Sequence, residues 1–283
     1  MTRPLWHPRT EKQIAALRGK LPQGLVVDGP SGIGVVETAR HLAQSMGATP
    51  FLIEPKRTVN GQMVVDGAEG NVIIEDIRKL YEQTRTRQPN TQVYVIDTGE
   101  RSMTVAAQNA FLKLLEEPRQ GLYFIIATHY ADQLLPTIMS RSQRLQLLPV
   151  TTEQTERHIR DLGVNDPTKA ARLAFVGRGL PGLLTRLSSD EKAYEKRVAL
   201  MVDARGMLAG SAYERMTTAH KYKDNRGDAV TLIDDINHQL KTIVRSKPDA
   251  KLVKNIHHNL DARRRILAGG NIRLQLARAV LQW

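Results

Sequence analysis

The chain has 283 residues, 41% apolar and 25% charged, which is long enough for two or three domains and a sizeable core. Lys and Arg number 41 against 29 Asp and Glu, and the formal charge of +12 favours a polyanionic neighbour, nucleic acid first. The absence of cysteine excludes disulfides and thiolate metal sites, and the longest apolar run, Leu122 to Ala127, is far too short to span a bilayer.

The N-terminal stretch MTRPLWHPRT has no apolar signal core, so a cytoplasmic location is expected. Thr10-Glu11-Lys12-Gln13 reads as a capping box that opens a helix running to about Arg18. Pro22-Gln23-Gly24 breaks that helix, and Leu25-Val26-Val27 reads as a short buried strand. A Gly-rich turn follows, then a helix from about Val35 to Ser45. Residues 49–70 read as irregular, with 51–53 and 62–65 as candidate strands. A helix (Ile74 to about Thr86), a strand (Val93 to Ile96), a helix (Thr104 to Glu117) and a strand (Tyr123 to Thr128) come next. A last strand, Arg144 to Leu148, closes the unit. Strands alternating with helices argue for a parallel α/β sheet covered on both faces. From Thr151 helical patterns dominate: 152–162, 166–176, a helix opened by Pro181, then 230–245, 250–266 and 271–283. No internal repeat is present.

Three stretches carry candidate chemistry. Gly29, Gly32 and Gly34 lie between a strand and a helix with the glycine spacing of the phosphate loop G-x-x-x-x-G-K-[ST], whose N–H groups cradle phosphates. The two positions after Gly34 are Val35 and Val36, where lysine and a hydroxyl residue belong. Thr38 stands nearly a helical turn too far along to replace the hydroxyl. Val93-Tyr94-Val95-Ile96-Asp97 is an apolar strand ending in a carboxylate, as at a Walker B magnesium site. Its follower is Thr98 rather than a water-orienting glutamate, and Glu100 comes later. The third stretch is Asn109 to Thr128, NAFLKLLEEPRQGLYFIIAT, with LLPTIMSRSQRLQL from Leu134.

These stretches closely resemble bacterial clamp-loader subunits of the AAA+ class. Their marks are a helix ending in L-L-E-E-P, a strand ending at a polar sensor residue, and an S-R-C motif. The sensor position falls on Thr128 and the S-R-C counterpart on Ser140-Arg141-Ser142. The closing GGNIRLQLARAVLQW resembles the last helix of the delta-prime subunits of the DNA polymerase III clamp loader. The resemblance implies a RecA-like AAA+ domain with a degenerate phosphate loop (1–149), a small helical lid (150–203) and an all-helical collar (204–283).

The departures from the family pattern matter most. A missing charged hydrogen bond costs about 1.5–3 kcal/mol, and the loop lacks at least two ligands together. The family's second sensor arginine falls on Gly182. The resemblance therefore implies a stator with no ATPase activity and no cofactor of its own, its vestigial site being Gly29, Gly32, Gly34, Val35, Asp97 and Thr128. Arg141, beside Ser140, is the implied arginine finger acting on a neighbour's ATP, a group worth roughly 10³–10⁵ in rate in well-studied GTPases. Implied partners are the motor ATPase subunits and the clamp-opening subunit of a hetero-oligomer, with the sliding clamp and primer-template DNA reached through the complex. Arg101 and Thr104 resemble positions that face DNA. The family's four-cysteine zinc module is absent. His257-His258 and Arg263-Arg264-Arg265 read as solvated helix positions. Two alternatives remain open: a working ATPase motor subunit with an unconventional loop, and a free-standing basic DNA-binding protein.

Overall fold

The computed structural model describes residues 4–85, 90–117 and 119–283, which divide into two compact units, one up to residue 189 and one from 190. The first unit is built on a parallel five-stranded sheet. In chain order it holds α1 (Pro8–Leu17), β1 (Gly24–Asp28), α2 (Val35–Ser45), β2 (Phe51–Ile53), β3 (Lys56–Val59), β4 (Gln62–Val65), α3 (Ile74–Gln83), β5 (Gln92–Asp97), α4 (Val105–Glu116), β6 (Leu122–Thr128), α5 (Pro136–Met139) and β7 (Gln143–Gln146). The strand order is β2-β5-β6-β1-β7. Strands buried on both faces need near-continuous apolar runs, and β1, β5 and β6 supply them. Successive residues alternate between two cores. Leu25, Val27, Val93, Val95, Ile125 and Ala127 pack with α1 and α2. Val26, Tyr94, Ile96, Phe124 and Ile126 pack on the other face with α3 and α4.

Helices α6 (Thr152–Asp161), α7 (Pro167–Gly177) and α8 (Pro181–Ser189) complete this unit. Each of the first two starts on a side-chain cap, Thr151 with Gln154 in a reciprocal capping box and Asp166 before Pro167. The predicted last strand lies at 143–146 rather than 144–148.

Two local expectations are corrected. Thr10 does not cap α1. Pro8 fits the first helical position, so the helix starts earlier with His7 as its cap, and buried Thr10 accepts a hydrogen bond from the Leu148 N–H at 3.2 Å. Residues 49–70 are more ordered than expected. The candidate strands 51–53 and 62–65 are present as the edge strand β2 and as β4, and β4 pairs with an unforeseen β3 in an antiparallel hairpin turned by Asn60 and Gly61, both at positive φ. Asn-Gly is the strongest short hairpin signal, because that turn needs two left-handed residues. The expected helix end near Thr86 and the proline of L-L-E-E-P lie outside the described residues.

The second unit is all helical: α9 (Glu191–Ala209), α10 (Ala212–Lys221), α11 (Arg226–Ser246), α12 (Ala250–Leu267) and α13 (Ile272–Leu281). Helix α9 runs unbroken across residues 203 and 204, the expected boundary between the lid and the last domain. The apolar core of this unit is Leu200, Ala204, Met207, Leu232, Ile233, Ile236, Leu240, Ile266, Leu276 and Val280 with their neighbours. Two polar features are buried within it. Arg197 engages Asp235 through both guanidinium Nη atoms, one bond being 2.7 Å. Asn259 donates to the Asn237 carbonyl oxygen at 2.9 Å and accepts from the Trp283 indole N–H at 3.1 Å. Arg263, in the run expected to be solvated, pairs with Asp234 at 2.8 Å.

Candidate functional site

Parallel pairing brings the ends of β5, β6 and β1 to one edge of the sheet, with Asp28 level with Thr128 and Asp97 level with Ala127. This edge is where open α/β sheets hold their ligands. The Gly29–Gly34 loop leaves β1 there and enters α2. Gly32 and Gly34 have φ of +83° and +95°, the left-handed region that favours glycine, so both preserve the shape of the loop. The Gly29 carbonyl accepts a hydrogen bond from His129 Nδ1 at 2.9 Å. Just before the loop, Arg144 of β7 grips the buried Asp28 carboxylate with a two-pronged contact of 2.8 and 2.7 Å.

Side chains at the helix entrance face inward. Val35 is buried and Val36 half-buried, both packed in the core beneath α2. Thr38 is fully buried; its hydroxyl donates to the Gly34 carbonyl and accepts from the Trp6 indole, both at 2.8 Å. That hydroxyl is thus fixed beneath the loop as well as displaced along the helix.

The mouth of the loop meets α8. The Leu183 N–H donates to the Gly32 carbonyl at 3.1 Å, so the loop satisfies one of the open N–H groups at the start of that helix. A Cβ on Gly32 would lie 2.8 Å from Leu183 Cβ, and a Cβ on Gly182 would lie 3.0 Å from the Gly32 carbonyl oxygen. A side chain at position 182 would crowd that carbonyl unless the loop or α8 shifted by a few tenths of an ångström.

The other edge residues bond to one another. Asp97 Oδ1 accepts the Gly99 N–H at 2.8 Å, a turn closed by its own side chain. Burial pushes the Asp97 carboxyl above its ordinary pKa, and Glu54 and Glu37 push the same way. The Gly99 N–H and His129 oppose them. Buried Thr98 donates to the Thr128 hydroxyl at 2.9 Å, and Thr128 also accepts the Tyr130 N–H at 3.1 Å. Glu100 bridges the loop and the segment after β6, accepting from Ser31 and, at 3.3 Å, from Tyr130.

Arg141 and Ser140 stand elsewhere on the unit, after α5, and both are exposed. Arg141 lies against the end of α4, with Nη2 2.9 Å from Glu116 Oε1 and Nη1 3.2 Å from the Thr137 carbonyl. Ser140 donates to the same carbonyl at 3.1 Å. Gly24 fits beneath this segment, since a Cβ there would lie 3.0 Å from Ser142 Oγ and 3.1 Å from the Arg141 carbonyl. Thr104 caps α4, its hydroxyl accepting the Ala107 N–H at 3.2 Å, while Arg101 is half-buried with its Nε unpartnered.

Sequence reasoning placed Gly29, Gly32, Gly34, Val35, Asp97 and Thr128 together, and the fold gathers them at one edge. It missed Leu183, Arg144, Glu116 and the bridging role of Glu100. Glu116 was visible within L-L-E-E-P, whereas Leu183 carries no local signal.

Comparison with known proteins agrees with this geometry. A family described as "DNA polymerase III, delta subunit" matches residues 9–151. The gamma/tau subunit of DNA polymerase III from Mycobacterium tuberculosis is 29% identical over 163 residues, 52% of this chain and 28% of that protein. The delta′ subunit from Haemophilus influenzae is 41% identical over 70 residues, 25% of this chain and 21% of that protein. The delta′ subunit from Bacillus subtilis is 25% identical over 190 residues, 62% of this chain and 57% of that protein. The chain thus spans less than two thirds of the length of each of these relatives. The RuvB Holliday junction branch migration motor of Thermotoga maritima aligns over 97% of this chain and 86% of its own, at 16% identity and a TM-score of 0.50, a likeness of RecA-like AAA+ fold. With a family match that runs from the second residue of α1, through every strand of the sheet, to the cap of α6, the chain belongs to the DNA polymerase III delta-subunit family of clamp-loader AAA+ proteins.

Proposed function

We propose that this chain is a non-catalytic, delta-prime-like subunit of a DNA polymerase III clamp loader, a fixed element beside subunits that hydrolyse ATP. Residues 1–149 form its AAA+ body, the following helices its lid, and the C-terminal helices a collar that joins the ring. The observation that carries this reading is the Leu183–Gly32 contact, which seats the start of α8 on the phosphate loop. Val35 and Val36 add methyl groups where a triphosphate needs an ammonium and magnesium needs a hydroxyl. The residues at the edge therefore do not fit a bound MgATP. Arg141, exposed on the same unit, is the group this subunit offers to a neighbour's ATP. Its partners in this reading are the motor subunits and the clamp-opening subunit, and it reaches the clamp and primer-template DNA through them.

Calorimetry of the isolated chain tests the loop. The expected result is no MgATP binding at micromolar concentrations. A dissociation constant below about 10 µM, or roughly −7 kcal/mol, would identify a working nucleotide site. In a reconstituted loader, Arg141→Ala should leave assembly nearly intact while clamp- and DNA-stimulated hydrolysis falls in part. Arg141→Lys should fare almost as badly, because lysine lacks the planar fork that engages phosphate oxygens. Wild-type hydrolysis by the alanine variant would make Arg141 a bystander, and equal loss of assembly would make it a docking residue.

A further inference from the structure

The second unit carries a charge pattern that the reading above leaves unused. From residue 236 onward ten Lys and Arg stand against two acids, Asp249 and Asp261. Half of those bases lie at one end of the α11–α12 hairpin: Lys241 and Arg245 in the last turns of α11, Lys247 in the connection, and Lys251 and Lys254 in the first turns of α12. All five are exposed, and among the described residues none is held in an ion pair. The single acid of the tip, Asp249, is committed to the cap of α12, accepting the Lys251 N–H at 2.7 Å.

Helix electrostatics explains only part of this cluster. Arg245 sits in the last turn of α11, where a cation stabilises, and Lys241 lies one turn further in. Lys251 sits in the first turn of α12, its positive end, where a cation costs about 0.3–1 kcal/mol, Lys254 follows just beyond that turn, and α12 has no acid in its first turn. The placement of Lys251 opposes the stability of its own helix and favours an anion from outside. At about 1.5 Å per residue and about 8–10 Å between packed helices, the five bases fall within a patch roughly 20 Å across. That length spans several phosphates of a duplex, which carries one charge per roughly 1.7 Å. No Phe, Tyr or Trp occurs between residues 223 and 282, so the tip has no ring on which an unpaired base could stack. We propose that the α11–α12 tip is a sequence-independent binding site for the phosphate backbone of duplex DNA.

The test uses the full chain and a fluorescein-labelled 20-base-pair duplex, titrated from 50 to 200 mM salt. Replacing Lys241, Arg245, Lys247, Lys251 and Lys254 by Gln should weaken binding at least tenfold at 100 mM salt. The slope of log affinity against log salt should lose about 4, since each phosphate contact contributes about 0.9. A control variant with Arg78, Lys79, Arg157, Arg160 and Arg172 replaced by Gln removes the same net charge from exposed positions of the first unit and should change binding by less than threefold. Should the fivefold variant fold poorly, Lys251→Gln with Lys254→Gln alone should shift the slope by about 2 without lowering Tm. Equal losses in tip and control variants would reduce the effect to overall charge and overturn the site, as would an unchanged tip variant. Tighter binding of a 20-residue oligothymidine than of the duplex would overturn the duplex assignment. Tip-dependent binding of vesicles with 30% phosphatidylserine, or of polyglutamate, at higher affinity than the duplex would overturn the nucleic-acid assignment.

Discussion

Substituting Gly32 by Ala separates the seating of α8 on the loop from the shape of the loop itself. At φ +83° an added Cβ costs about 1–2 kcal/mol in any surroundings. Here it would also lie 2.8 Å from Leu183 Cβ and 3.2 Å from the Leu183 nitrogen, and overpacking against a fixed neighbour adds about 1–3 kcal/mol. Gly34→Ala supplies the comparison. Its φ of +95° carries the same backbone cost, yet the nearest atom to a Cβ there is Glu37 Oε2 at 3.5 Å, an ordinary contact with a flexible side chain. Gly32→Ala should therefore destabilise the first unit by about 2–5 kcal/mol and Gly34→Ala by about 1–2. Urea unfolding followed by fluorescence of Trp6, which is buried beside Thr38 in that unit, measures the difference in a shared Trp283→Phe background. Equal losses in the two variants would refute the argument, because they would mean that nothing rigid stands over Gly32.

Asp97→Asn keeps the oxygen that accepts the Gly99 N–H and removes a carboxylate whose burial raises its pKa. A raised folded pKa means that the native state binds more protons, so the contribution of Asp97 is fully present below its unfolded value of 3.8 and is lost as pH rises through the folded value. The asparagine variant should thus match wild type near pH 3.5 and exceed its stability at pH 7 in urea midpoints; a less stable variant at pH 7 would contradict this. In the second unit, Arg197→Ala removes the guanidinium that engages the buried Asp235 carboxylate and should cost about 3–5 kcal/mol, whereas Arg197→Met with Asp235→Leu should be near neutral. Urea unfolding followed by circular dichroism distinguishes them, and a mild effect of the single variant would show that water reaches Asp235.

The elements legible in the sequence were those whose signal is local. Apolar runs such as Val93–Ile96 and Tyr123–Thr128 specify buried parallel strands, and the glycines at 32 and 34 mark a loop of unusual backbone. The Asn60-Gly61 turn was equally local, yet it was overlooked because its first strand, β3, reads Lys-Arg-Thr-Val and carries no apolar run. What the sequence did not disclose was long-range. The hydroxyl of Thr38 meets Trp6, 32 residues away, and Arg144 meets Asp28 across 116 residues. The seating of Leu183 on Gly32 depends on the placement of a whole helix. The residue types at the edge were readable as deficient in ligands, but not as covered.

The amides of Asn237 and Asn259 act on the second unit as a vernier mark. If α12 slid along α11 by one turn, about 5.4 Å, Asn259 would move from Asn237 toward the level of Ile233 or Leu240. Each buried amide left without a partner would cost about 1–3 kcal/mol. Trp283 reads the same mark from the end of the chain. Apolar helix faces alone tolerate such slippage, so this polar line, together with the Arg263–Asp234 pair, assigns the hairpin a single stagger. The spacing between the bases of α11 and those of α12 at its tip is then as fixed as the core beneath them.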